Sequence, residues 1–179
     1  MDWYLSPEGQ EYIPELQRLA VAESSPENDA LLLGYAMEGV RLASAFGLFR
    51  EAAETETIKE DDGREVHVKA GDRVFVSLAS AAREEAYFPE ANKVNPRRPI
   101  DTYMHYGAGP HSCLGREVSQ VALVEMFRAL FRKRGLKRVP GPLGELKKIP
   151  QPGGLYLYMT ENWGGVSPFP TSMKISWDE

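Results

Sequence analysis

Cysteine is almost absent: Cys113 is the single thiol in 179 residues. One cysteine excludes an internal disulfide and any metal site built from several thiolates of this chain. Histidine is scarce too. His67, His105 and His111 show no i, i+4 pair and no acidic partner at metal-ligand spacing. Long apolar runs are missing: the longest are short, as at residues 30–33, where a bilayer span needs about 20. A basic excess is also missing. The formal net charge is −5, and no basic stripe interleaves with aromatics, so nucleic acid is not a favoured partner. Residues 1–7 lack a basic stretch followed by an apolar core and do not read as a signal peptide. A reducing intracellular compartment, the cytoplasm, is the default expectation.

What is present suits a globular chain with a real core: 42% hydrophobic, 26% charged and 10% aromatic residues. Residues 7–23 read as a helix with Ser6 as cap, broken early by Pro14, so that its core is 15–23. Ser24-Ser25-Pro26-Glu27-Asn28-Asp29 is a strong helix start, with a cap, a proline for the first turn and acids near the amide end. That helix is expected over 27–46, with Leu31, Leu32, Tyr35, Ala36, Val40 and Ala43 on its apolar face. A β region follows over 55–77. Residues 55–60 and 64–69 alternate around a turn at Asp61, Asp62 and Gly63, and His67 is a surface strand residue. A short helix is expected over 78–85. Residues 88–105 form a Pro-rich, irregular meander, and long loops of this kind are often functional. A helix over 114–134 is apolar nearly all round, which predicts deep burial; Gly135 suits its C-terminal cap. Residues 136–179 form a looser β region, with strand candidates at 155–159 and 174–177. The fold class is therefore mainly α with a small antiparallel β region.

The chemistry concentrates in residues 106–115, Tyr-Gly-Ala-Gly-Pro-His-Ser-Cys-Leu-Gly. Gly107 and Gly109 permit backbone conformations and close approach that a side chain would block. Cys113 precedes a long helix, whose terminal amides favour a thiolate. Gly115 would let a flat macrocycle pack near the first helical turn, and His111 could reach a carboxylate at the macrocycle's edge. Thiolate ligation to heme iron needs these parts. Gly107-x-Gly109 is too short for a phosphate loop.

Tyr106, Gly109, Cys113 and Gly115 resemble the cysteine loop of the cytochrome P-450 superfamily, with Tyr for the usual Phe. The resemblance implies an upstream Glu-x-x-Arg helix pair, matched by Glu38 and Arg41. It implies an arginine from the meander joining that pair; Arg98 is the best candidate and Arg97 stays open. It also places a heme-propionate-binding basic residue nine positions after Arg41, where Arg50 stands. Residues 68–77, Phe88-Pro89, Arg98-Pro99-Ile100-Asp101 and 103–115 more specifically resemble the C-terminal heme-thiolate domain of the fungal linoleate diol synthases, or psi-producing oxygenases. His111 in place of the commoner arginine fits that group.

The resemblance implies heme b, with Cys113 as axial iron ligand and Tyr106, Gly107, Gly109, His111, Gly115 and Arg50 at the cofactor. It implies a fatty acid or fatty acid hydroperoxide as substrate, and a fused dioxygenase domain or a partner chain. The activity expected is hydroperoxide isomerase or monooxygenase. Ala45, Phe46, Gly47, Leu48, Asn162 and Trp163 are candidate pocket residues, whereas His105 is expected to be structural. The match starts after the family's long distal helix, so the chain reads as the C-terminal portion of the fold. An exposed apolar patch and weak heme retention are then expected. The alternative is a non-catalytic fragment with only a heme-binding or protein-interaction surface.

Overall fold

Ser25 opens the longest helix, its hydroxyl accepting the Asn28 N–H, with Pro26 in the first turn, where a missing amide costs nothing. In the computed structural model, which describes all residues except 44–46, 61, 152–154, 161, 163, 168, 171–172 and 179, this helix is α2 (Pro26–Ala43). It follows α1 (Ile13–Val21). Pro14 lies in the first turn of α1 and helps to start it rather than breaking it, because a first-turn residue has no intrahelical acceptor to lose. Ser6 caps no helix; its hydroxyl bonds Glu8. The third large element is α4 (Arg116–Phe131), preceded by the single turn α3 (Leu78–Ala81).

These helices meet in one apolar cluster around Tyr4, Leu16, Leu19, Leu32, Tyr35, Phe127 and Phe131. The Tyr4 ring stands edge-on to Phe127 and Phe131, while its hydroxyl donates to the Tyr35 carbonyl at 2.6 Å. Burial of that phenol is therefore compensated. The expected face of α2 is only part of the story. Val40 is exposed, and Gly34, Met37, Glu38, Gly39 and Arg41 are buried, because the meander covers a second side of the helix.

The strands are antiparallel and short. The expected hairpin forms as β2 (Glu56–Lys59) and β3 (Glu65–Val68), with Asp62 Oδ1 accepting the Arg64 amide in its turn. Asp61 lies outside the described residues. A strand without a sequence signal, β1 (Gly47–Glu51), pairs with β4 (Arg73–Ser77), setting Gly47 opposite Ser77 and Glu51 opposite Arg73. In the C-terminal region, β5 (Lys137–Arg138) pairs with β9 (Ile175–Ser176). There β6 (Lys148–Gln151), β7 (Leu155–Met159) and β8 (Val166–Ser167) form a three-stranded sheet. No helix among the described residues is long and apolar enough to cross a membrane.

Deep burial of α4 is overturned. Val124, Phe127 and Phe131 are buried, whereas Val118, Val121 and Met126 are exposed and Leu114, just before the helix, is fully so. One side of α4 packs on α1 and α2; the other is the expected apolar patch.

Helix α2 approaches the meander closely at Gly34. A Cβ there would lie 1.9 Å from the Pro96 carbonyl oxygen, a backbone atom that cannot rotate aside. Gly34→Ala should therefore destabilise the chain by about 3 kcal/mol through overpacking. Urea unfolding followed by circular dichroism checks this, and an unchanged midpoint would refute the close packing.

Candidate functional site

Spacing i, i+3 on α2 sets Glu38 and Arg41 on one face, and that face is buried: both side chains have no exposure. The pair is bidentate, Arg41 Nε to Oε1 at 2.7 Å and Nη2 to Oε2 at 2.8 Å. The remaining guanidinium protons go to carbonyls: Ala82 at 2.9 Å, Ala91 at 2.6 Å and Lys93 at 3.1 Å. All five N–H donors of the fork are thus used. Glu38 accepts three further bonds, from the Asn95 amide at 2.9 Å, Arg98 Nε at 3.4 Å and the Tyr103 hydroxyl at 2.8 Å.

Arg98 is therefore the meander arginine; Arg97 is exposed, its amide donating to Asn95 Oδ1. Arg98 also donates to the Pro89 carbonyl at 2.8 Å. The Phe88 ring lies beneath both guanidinium groups, 5.1 Å from Arg41 and 5.7 Å from Arg98, a cation–π arrangement. Tyr103 is the member that sequence reasoning missed. A tyrosine in an irregular segment carries no signal that it will meet a carboxylate 65 residues away.

Burial alone would raise the Glu38 pKa, but the bonds from Arg41, Asn95 and Tyr103 outweigh it and hold the group ionised. Burial and the nearby Glu38 charge push the Tyr103 phenol upward, so it stays a donor. His105 stacks near Tyr103 at 6.1 Å, and its buried Nδ1 has no hydrogen-bond partner among the described residues. Burial and the Arg41 charge disfavour its protonated form.

Three residues beyond Tyr103 the cysteine loop begins. The Tyr106 carbonyl accepts the Cys113 amide at 2.7 Å, closing the loop, and the Ser112 amide returns to the Gly109 carbonyl at 3.0 Å. Gly107 has φ of +69°, and a Cβ on it would sit 2.6 Å from the His111 carbonyl oxygen. No other residue fits there. Gly109 also has positive φ, at +56°, and faces open space. Cys113 is a free, exposed thiol. A Cβ on Gly115 would meet only the Cys113 sulfur, at 3.8 Å. His111 is exposed beside it. Arg50, on β1, is exposed and returns Nη1 to the Phe49 carbonyl, away from the Glu38 network. Among the pocket candidates, Gly47 and Leu48 lie on β1 and Asn162 is exposed; Ala45, Phe46 and Trp163 lie outside the described residues.

The donor set is thus one exposed sulfur on a loop whose residues 107–115 are all exposed, beside the fully exposed Leu114. A large flat ligand bound through one thiolate fits it. A site with several protein ligands does not, since the described residues contain no cluster of three His, Cys, Asp or Glu.

The family model for cytochrome P-450 matches residues 37–134, and the chain belongs to that family, whose cofactor is heme. It is 63% identical over its whole length to a bifunctional dioxygenase–epoxy alcohol synthase of Fusarium oxysporum, covering 14% of that protein. It is 45% identical over 99% of its length to psi-producing oxygenase A of Emericella nidulans, covering 16%. The chain thus spans a small part of these relatives. Among solved structures, CYP109E1 of Bacillus megaterium matches with a TM-score of 0.63 at 25% identity, over 84% of this chain and 36% of that one. The partial P-450 fold expected from the cysteine loop is what these comparisons bear out.

Arg41→Ala would strand a buried carboxylate, and such breaks typically cost about 3–5 kcal/mol. Urea unfolding should show that loss; a change below about 1 kcal/mol, as for an exposed pair, would contradict the network's role. Acid separates two groups. His105 protonates below its ordinary 6.5 in the folded chain, so the unfolded chain binds more protons and stability falls as pH drops below that value. Glu38 acts in the same direction only below its ordinary 4.5. His105→Phe should remove the upper limb of the acid-unfolding curve and leave the lower one; an identical curve would sink the assignment.

Proposed function

We propose that this chain forms the proximal wall of a heme-thiolate fatty-acid oxidoreductase site, with Cys113 as the axial ligand to iron. The observation that carries the reading is the Cys113 sulfur itself. It is exposed on a loop whose glycines keep side chains away, and that loop is anchored to a buried ion network. Gly107 and Gly109 shape the loop, Gly115 leaves the sulfur's surroundings open, and Tyr106 closes the loop through its carbonyl. His111 and Arg50 are free to turn toward the carboxylates at the rim of the macrocycle. Glu38, Arg41 and Arg98 hold the meander. Bound here, a thiolate-ligated heme supplies O–O bond cleavage and oxygen transfer. The chain's part is to present one sulfur, clear a face beside it and orient the ring.

The substrate class follows from similarity. Relatives are described as an epoxy alcohol synthase, a psi-producing oxygenase and a linoleate diol synthase, which supports a fatty acid or its hydroperoxide, delivered by a fused dioxygenase domain or partner chain. A hydroperoxide isomerase needs no reductase, whereas a monooxygenase does. A reducing cytoplasmic compartment suits a chain with one unpaired thiol.

A second reading, a heme-binding or interaction module without turnover, is favoured by one observation: the exposed apolar side of α4 at Val118 and Val121, beside Leu114. The chain reconstituted with hemin and reduced under carbon monoxide separates the readings. A red-shifted thiolate Soret band should appear, and Cys113→Ser should abolish it. A spectrum of histidine-ligated or free hemin would reject Cys113 as ligand. A thiolate band without any product from a linoleate hydroperoxide would favour the second reading.

A further inference from the structure

Residues 107–115 are all exposed, so packing does not hold the cysteine loop. Its position depends on where its two ends are fastened. Tyr106, at the start, is fastened three times. Its carbonyl holds the Cys113 amide. Its ring lies beside the Arg116 guanidinium, 5.8 Å from the ring centroid. Its hydroxyl sits 3.0 Å from Ser119 Oγ, within the first turn of α4.

Ser119 Oγ is also 2.8 Å from the Arg116 carbonyl. A serine hydroxyl has one proton and two lone pairs, and the proton rotates to suit. The carbonyl can only accept, so it takes that proton. The serine oxygen is then an acceptor, and the Tyr106 phenol becomes the donor. Both side chains are half-buried, so neither bond is simply replaced by bulk water. The remaining fastening, the ion pair of Arg116 with Asp101, has an exposed carboxylate, and such pairs contribute little.

We propose that the Tyr106–Ser119 hydroxyl pair is a clasp that closes the cysteine loop onto α4 and so keeps the Cys113 sulfur in ligating position. The proposal rests on the reading of Cys113 as axial ligand. Tyr106 carries both functional parts of the clasp, its carbonyl on Cys113 and its phenol on Ser119, so the sulfur and the helix are tied through one residue. A phenylalanine at position 106 would keep the ring and the carbonyl and lose the link to α4. Ser119 touches neither the sulfur nor its amide; it is a positioning residue. The pair is asymmetric. Tyr106→Phe leaves Ser119 its carbonyl partner, whereas Ser119→Ala leaves a half-buried phenol with none, and an unmade bond costs more than one removed from both sides.

The test uses the whole chain loaded with hemin, reduced under carbon monoxide and held in mild denaturant. The readout is the rate at which the thiolate Soret band gives way to the neutral-thiol band. Tyr106→Phe and Ser119→Ala should each speed that conversion by about fivefold, the scale of one lost hydrogen bond. Ser119→Ala should be the faster, and the double variant no faster than Ser119→Ala alone. Ser119→Thr, which keeps the hydroxyl, should restore the slow rate. Additive effects overturn the clasp. So do rates that merely track a lowered melting temperature in circular dichroism, or variants that convert at the parent rate. A parent chain with no thiolate band would instead reject the Cys113 reading, and the clasp with it.

Discussion

The carboxylate of Glu38 is a charge removed from water and answered by five donors from four residues, Arg41, Asn95, Arg98 and Tyr103. Burying an ion pair often stabilises no more than an apolar pair of the same volume would. The net energy of the bond is therefore a poor reason for its presence. What it supplies is satisfaction of irregular backbone. Residues 82–98 form no ladder, and buried carbonyls without partners are costly. Arg41 and Arg98 donate to the carbonyls of Ala82, Ala91, Lys93 and Pro89. A leucine pair in place of Glu38 and Arg41 would fill the volume and take the Arg41 donors from the carbonyls of Ala82, Ala91 and Lys93. The network does for the meander what a sheet does for a strand.

That constraint reaches the sulfur in a short covalent step. Tyr103 is bonded to Glu38, Tyr106 follows in the next turn, and the Tyr106 carbonyl holds the Cys113 amide. Each stage is more exposed than the one before it: no exposure at Glu38, 4% at Tyr103, half-burial at Tyr106, an open surface at Cys113. An atom as exposed as the Cys113 sulfur is not fixed by burial. The structure fixes it from behind, by hydrogen bonds leading back to a buried charge.

The readable parts of the site were those encoded within a few residues. The Glu38–Arg41 pair follows from i, i+3 spacing, the start of α2 from its Ser-Pro-acid signature, and the hairpin from alternation about Asp62-Gly63. Parts that depend on distant partners were not readable. Strand β1 exists because β4 lies beside it, and Gly47-Leu48-Phe49-Arg50-Glu51 has no alternation of its own. Tyr103 and Ser119 are ordinary in their local contexts, and only the fold brings them to Glu38 and Tyr106. Pro14 starts α1 rather than breaking it, because a proline's effect depends on whether it falls in a helix's first turn. The apolar girth of α4 implied burial, but its neighbours cover only one side.

The uncovered side of α4 and the anchored loop are two consequences of one arrangement. Val124, Phe127 and Phe131 commit one side of the helix to α1 and α2. The same α2 carries Glu38 on another side of its surface and so commits the meander. The cysteine loop is therefore suspended between two elements already locked against each other. Its own residues add no packing, yet both of its ends inherit the rigidity of the core. Close-packed interiors resist continuous deformation, so the α2–α4 contact gives the loop's fastenings at Tyr106 a fixed frame to hold to. A loop so held can afford positive-φ glycines and full exposure, which a self-supporting loop could not.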